Sequence, residues 1–397
     1  MLKPFRAIFT TILLVTGLAV IAPTSQAEGW VESWKNHLDI VWEKVKKTTK
    51  PLIPKKPIEI GIAYGTEKQD WLKWAVTEFK NTPEGKNITI NLIPMGSIEG
   101  AEAILKQDER IQVWSPASSL VRPLLAEPWE AEHNKADPIY SDAPLAITPM
   151  VIIMWEDRYD AFIAKYNEVN FKNIASALAE KTGWAAIAGK PEWGFFTFGH
   201  TMPTHSNSGL LTLVLMTYDY MGDLRNLTAA QLMEESFLTW MESTQKNMSA
   251  DETSTGKLMT RMLRFGPAKL NAIMVYENLA LSNLETAQGR WGKLKVIYPS
   301  RTVWNDNPYY ILDVPWSTPE HKDAAKLFQN FLLTPTAQKV VRDKYLFRPA
   351  SIDLPILDPE SAFTKLSEIV KIDVAEIEPP KAKILNQLLQ TWEKNNK

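Results

Sequence analysis

Strands and helices alternate along most of this chain, and the alternation predicts an α/β fold. Two further observations divide that fold into two lobes. The chain has 397 residues, more than one small core accommodates. Two extended polar or Pro-containing passages also interrupt the alternation, at Thr148-Pro149 and at Arg301 to Asn305. They read as an outward and a return crossing between lobes.

The elements follow in order. Ile58 to Tyr64 alternates as a strand, Gly65-Thr66 is its turn, and Thr66 with Gln69 has the spacing of a capping box. The next helix carries Trp71, Leu72, Ala75, Val76 and Phe79 on one face. Strands are predicted at Ile88 to Ile93 and Ile111 to Trp114, the latter leading through Ser115 to Ser119 into a helix from Leu120 to Leu125. Val151 to Trp155 is an apolar strand, followed by helices from Asp157 to Tyr166 and Phe171 to Lys181. The aromatic run Trp193 to Phe198 reads as a strand. A polar turn follows, and Ser206-Asn207-Ser208-Gly209 caps a helical run from Leu210 to Met216. Helices are expected from Thr228 to Gln245 and Thr255 to Phe265. Strands follow at Asn271 to Val275, Leu294 to Tyr298 and Tyr309 to Asp313, with a helix starting near Leu279. Thr318-Pro319 and Thr334-Pro335 each pair an N-cap with Pro at the first helical position. A last helix is expected within Ala375 to Lys397, packed on the outside.

Before this body stand two other segments. Lys3 and Arg6, the apolar run Ala7 to Ala22, and small residues at Ser25 and Ala27 make a secretory signal with cleavage after Ala27. Trp30 to Lys47 has helical periodicity, and Lys50 to Pro57 is a Pro- and Lys-rich linker. The expected divisions are residues 1–27 (signal), 28–57 (helix and linker), 58–148 with 303–371 (first lobe), 149–302 (second lobe) and 372–397 (C-terminal helix).

Composition narrows function. Hydrophobic content of 45% and charged content of 23% are those of a globular protein. A formal net charge of -2 gives no reason to expect nucleic acid or an anionic membrane as partner. The absence of cysteine excludes disulfides, thiol catalysis and Cys-based zinc sites. No segment after the signal is apolar enough to span a bilayer. His200, His205, Ser206, Ser208 and Asp219 assemble a Ser-His-Asp set only on paper, because the Gly-x-Ser-x-Gly elbow is missing. The His200/His205 spacing fits no metal motif. Asp157/Asp160 and Glu234/Glu235 read as solvated helix faces. No cofactor and no metal are called for.

The turns after the strands carry a resemblance. Ala63-Tyr64-Gly65-Thr66, Val113 to Ser119, Thr148-Pro149, Thr201 to Gly209, Val275-Tyr276-Glu277, Asp306 to Tyr309 and Phe347 to Ala350 occur in the order seen in type 2 periplasmic solute-binding proteins. The group resembled is the extracellular one related to sulfate- and molybdate-binding proteins, over roughly Ile58 to Ala350. The resemblance implies two α/β lobes joined by a two-strand hinge, a ligand held between them, and delivery to an ABC-type permease. It puts the ligand, a small molecule or oxyanion, between Gly65, Thr66, Ser115, Ser118 and Ser119 on one side and Ser206, Asn207, Ser208, Gly209 and Tyr276 on the other, with Thr148 at the crossing. Hydroxyls and free amides at helix N-termini suit such a ligand. Glu277 joins this set as its one carboxylate; it either meets a cationic, polyol or metal-bearing ligand or sits in a first helical turn, where an acid is favoured. The terminal helices fall outside the resemblance and leave open an exported sensory or interaction protein. Hydrolysis is the weakest reading.

The signal gives the first prediction. Exported protein should begin at Glu28, and N-terminal sequencing checks it; a retained Ala7 to Ala22 run refutes it.

Overall fold

Ile58 to Tyr64 is a strand because its alternate apolar side chains need two covered faces, and the chain supplies both. The computed structural model describes residues 51–222, 227–351 and 353–395, all within one unit beginning at Lys50. The expected signal and the Trp30 to Lys47 helix lie outside the described residues. The first sheet has the order β2-β1-β3-β12-β4. Here β1 is Ile58–Tyr64, β2 Ile88–Pro94, β3 Val113–Ser115, β4 Ile139–Ser141 and β12 Tyr310–Leu312. β1 pairs in parallel with β2 and β3, and β12 enters antiparallel from far along the chain. One face packs Ile60, Ile62 and Tyr64 against Trp71, Leu72 and Phe79 of the helix Gln69–Lys80 and against Phe328 of Pro319–Leu332. The other packs Ala63 and Trp114 with Ile98, Leu125 and Trp129. Each large side chain so buried contributes about 1.5–3 kcal/mol.

The second sheet is built on β5, Ala146–Trp155. Its Met150 to Met154 pair antiparallel with β8, Ala272–Tyr276, and its far end pairs with β9, Leu294–Ile297. β6, Phe198–Thr201, and β7, Ser249–Glu252, extend the sheet in parallel beyond β8. The start of β5 has other partners. Ala146 and Ile147 pair with β13, Arg348–Pro349, and Thr148 and Pro149 with β11, Trp304–Asn305. The chain thus leaves the first sheet along β5 and returns along β11, antiparallel neighbours forming a two-strand hinge.

Several expected elements move. The aromatic run is not a strand. Pro191–Trp193 is a 3-10 turn, Gly194 follows at φ +71°, and β6 starts only at Phe198. Trp193 packs instead under the Arg158 guanidinium, 3.5 Å from its ring centre, while Phe195 is exposed. The helix expected from Thr228 begins at Glu235, after a short turn at Gln231–Met233. The Thr318 and Thr334 helices start as their Thr-Pro pairs predict, each hydroxyl accepting from the amide three residues on.

The C-terminal segment differs most. An unexpected strand, β14, Ala375–Glu376, pairs with β10, Arg301–Thr302, and the helix runs from Ala382, after Pro379-Pro380 as expected. That helix is not simply packed on the outside. Ile384, Leu385 and Leu388 are buried, and it lies against both Asn207–Met221 of the second lobe and Arg122–Glu132 of the first. Leu385→Ala should therefore destabilise the protein by about 2–5 kcal/mol in urea denaturation; a change near zero would mean a peripheral helix.

Candidate functional site

The turns that follow the carboxyl ends of β1, β7 and β8 meet between the lobes. On the first lobe β1 ends at Tyr64, and the amide of the next residue, Gly65, donates to the Ser115 carbonyl at 3.2 Å. Thr66 opens a 3-10 turn, Thr66–Lys68, instead of capping the following helix. The turn buries two charges. Lys68 Nζ donates to Glu67 Oε1 at 2.5 Å, to the Pro116 carbonyl at 3.2 Å and to Asn307 Oδ1 at 3.1 Å. Burial pulls the Lys68 pKa down, while the Glu67 carboxylate pulls it up.

The predicted serines of this lobe divide. Ser115 is wholly buried and its Oγ has no hydrogen-bond partner. Ser118 Oγ caps the next turn by accepting from Leu120 N, and the Ser119 amide donates to Asp306 Oδ1 at 2.7 Å. At the hinge, Thr148 Oγ1 lies 3.3 Å from Asn278 Oδ1.

On the second lobe Ser206 is the N-cap of the helix Asn207–Met221. Ser208 Oγ sits among hydroxyls, 2.8 Å from Thr201 Oγ1, 2.7 Å from Thr255 Oγ1 and 3.3 Å from Ser206 Oγ. Asn207 Nδ2 donates to Tyr276 Oη at 2.9 Å and to Asn305 Oδ1 at 3.0 Å, and Asn207 Oδ1 has no partner. The Tyr276 pKa is raised, first by burial and then by nearby Glu67. Gly209 has a packing reason: a Cβ there would stand 2.2 Å from the Thr201 carbonyl oxygen.

Glu277 does not contribute to the cleft. Its carboxylate takes a two-pronged pair from Arg348, Nε to Oε2 at 2.8 Å and Nη2 to Oε1 at 2.7 Å, plus the Tyr298 hydroxyl at 2.5 Å. Planar guanidinium geometry fits a carboxylate this way, which leaves Glu277 without a free face. Glu67, buried and paired with Lys68, is the carboxylate beside the Gly65-Thr66 turn.

The lobes touch directly. Gly256 N donates to Thr66 Oγ1 at 3.1 Å, and Asn278 Nδ2 to the Glu67 carbonyl at 3.2 Å. Ile98 N and Glu99 N, at the start of the helix Ser97–Leu105, donate to the His205 carbonyl at 3.0 and 3.1 Å. Gly96 permits that approach, since a Cβ there would stand 2.1 Å from the same oxygen. Beside these contacts opens a groove of about 690 Å³, with Thr66, Asp70 and Met95 on one wall and Ser254, Lys257 and Arg264 on the other.

The paper triad does not assemble. His200 is buried between the Thr201 carbonyl and Gln245 Oε1, His205 pairs with Thr204 Oγ1, and Asp219 accepts from Lys172 N. Among the described residues no three His, Asp or Glu side chains converge as a metal site, and no helix is long and apolar enough to cross a membrane.

Sequence reasoning missed Glu67, Lys68, Thr255, Asn278 and the run Asn305-Asp306-Asn307. The last was a usable signal, being three polar residues in a row between two strands.

The family of bacterial extracellular solute-binding proteins matches residues 60–346. The chain belongs to this family. Solved structures agree on the fold. SubI, the sulfate-binding protein of Mycobacterium tuberculosis, is 14% identical with TM-score 0.53, over 81% of this chain and 94% of its own. The substrate-binding protein of an ABC transporter from Agrobacterium tumefaciens is 10% identical with TM-score 0.57, over 87% and 97%. A periplasmic thiamin-binding protein is 8% identical with TM-score 0.57, over 87% and 99%. These are two-lobe periplasmic binding proteins of type 2, and at such identities the likeness concerns the fold. No curated protein matches the sequence.

Arg348→Ala should strand the buried Glu277 carboxylate and cost about 3–5 kcal/mol, read as a lower urea midpoint. If stability holds and only solute affinity falls, Glu277 belongs to the binding surface after all.

Proposed function

We propose that the protein, exported to the periplasm or beyond, captures a small polar solute between its lobes for an ABC-type permease. The observation that carries this is the polar lining contributed by both lobes around Thr66, Ser115, Asn207, Ser208 and Tyr276. Three buried polar atoms there, Ser115 Oγ, Asn207 Oδ1 and Ser254 Oγ, have no hydrogen-bond partner. A buried polar group left unpaired costs about 1–3 kcal/mol, so a ligand that pairs it gains that much in return. Family membership and the two-strand hinge support closure on a ligand as the working motion.

The charges favour an organic solute over a bare oxyanion. Glu67 already balances Lys68, and Asp306 adds a second carboxylate beside the same loop. A free oxyanion would face both. Hydroxyl and amide groups instead suit a body rich in hydroxyls or amides. The second reading, docking of a protein partner through the extra C-terminal helix, has less support. The apolar stripe of that helix is already buried against this chain's own core.

The test is a solute panel read by thermal shift, followed by calorimetry on Tyr276→Phe and Ser208→Ala with the strongest hit. A solute at a hundred times its dissociation constant adds roughly 2.7 kcal/mol. Each variant should lose about 0.5–1.5 kcal/mol of binding to a neutral solute while staying folded. Unchanged affinity in both places the solute elsewhere.

A further inference from the structure

The groove beside the closed contacts has one wall unlike the rest of the cleft. It is formed by the helix Thr255–Phe265, which starts at the groove. Lys257, Arg261 and Arg264 are spaced i, i+4 and i+7 along it, so they share one face. All three line the groove, against two carboxylates, Asp70 and Glu252. Arg261 is already paired with Asp251 at 2.9 Å and Glu252 at 3.6 Å. Lys257 donates only to a neutral hydroxyl, Thr253 Oγ1, and Arg264 lies over the Phe265 ring. Among the described residues neither has an acidic partner.

The helix start adds an independent observation. Ser254 is its N-cap residue and lines the groove at 3% exposure, yet its Oγ has no partner. An N-cap serine ordinarily accepts from an amide of the first turn. Here that bond is not made, and the Gly256 amide donates across the cleft to Thr66. A buried hydroxyl without a partner, the positive end of a helix and the Lys257 ammonium meet at one end of this wall, whereas Arg264 stands in the last turn, about 15 Å along the helix.

We propose that Ser254 and Lys257 form a subsite for the acidic group, carboxylate or phosphate monoester, of an organic solute whose polar body lies toward the hydroxyl cluster. The inference rests on the capture reading above and adds the chemical class. Helix amides and a charge-assisted bond from Lys hold such a group, and each is stronger than a neutral hydrogen bond. The inner cleft, with carboxylates of its own, takes the uncharged part.

The experiment is calorimetry of the purified protein with glucose 6-phosphate, gluconate, inorganic phosphate and glucose. At least one organic acid should bind saturably and at least about tenfold more tightly than glucose. Inorganic phosphate should bind more weakly than the organic acids, because it lacks the body. Lys257→Ala should weaken the acid about tenfold or more, with Ser254→Ala weakening it less. The exposed Lys181→Ala should leave it unchanged. Silence from every acid, equal binding of glucose and its acids, or variants that bind like the parent would each overturn the subsite. A neutral solute from the wider panel that binds and depends on Tyr276 would leave the capture reading standing while removing this one. A panel in which nothing binds would remove both.

Discussion

The buried pair between Arg348 and Glu277 fixes where the lobes meet. Arg348 lies in β13, against the first residues of β5, just after the helix Pro335–Tyr345 of the first lobe. Glu277 opens the helix that follows β8 in the second lobe. One ion pair therefore joins the end of one lobe to the strand end of the other. Neither charge is stable in isolation so far from water, and together they must be held in good geometry. Arg348 gains more by donating to the Lys371 and Ile372 carbonyls and by stacking 4.6 Å over Trp304 of the return strand. The same side chain so orients the hinge and anchors the C-terminal segment. From there the chain runs on to pair β14 with β10 and to lay the last helix across both lobes. Truncating the chain after Arg348 would remove the Lys371 and Ile372 acceptors that complete this guanidinium.

Inside the charged groove, the inner cleft is lined mostly by neutral groups. With Glu277 held by Arg348, Glu67 by Lys68 and Asp306 by the Ser119 amide, what remains there is hydroxyls, amides and helix starts. Neutral groups can rearrange between a closed state satisfied by the protein and one satisfied by a ligand. The wholly buried Ser208 shows this, since each of its hydroxyl neighbours can act as donor or acceptor. An ion pair in that position would resist exchange, because separating it leaves a charge uncompensated.

Much of the fold was legible because it follows from periodicity. β1 and the helix Thr255–Phe265 fall where their apolar spacing puts them, and the two Thr-Pro starts give both helices near residues 319 and 335. The failures have physical causes. Trp193 to Phe198 is apolar enough for a strand, but Gly194 takes a positive φ, and Trp193 is worth more under Arg158 than in a ladder. The Thr66/Gln69 pair has capping-box spacing, yet the Thr66 hydroxyl serves the other lobe, which local sequence cannot reveal. Glu277 was ambiguous for the same reason, its partner lying 71 residues away. In the cleft, residue types were legible and pairings were not. Ser208 stood out by sequence, whereas Thr255, its neighbour at 2.7 Å, looked like an ordinary helix start.

The direct contacts between the lobes set a condition on any solute. Ile98 and Glu99 reach the His205 carbonyl, Gly256 reaches Thr66, and Asn278 reaches the Glu67 carbonyl. At about 0.5–1.5 kcal/mol net for each bond, closure without ligand is favoured by only a few kcal/mol before the entropy of the open state is counted. Opening exposes these donors to water, which satisfies them nearly as well. A solute therefore shifts the balance only by what it offers the closed state beyond these bonds. Replacing the His205 carbonyl at the Ser97 helix would gain little, because that acceptor is already good. Pairing atoms that closure leaves unpaired, Ser115 Oγ, Asn207 Oδ1 and Ser254 Oγ, gains more. On the proposed capture reading the closed form discriminates by what it lacks, and those three atoms, drawn from both lobes, are where a solute would gain most by reaching.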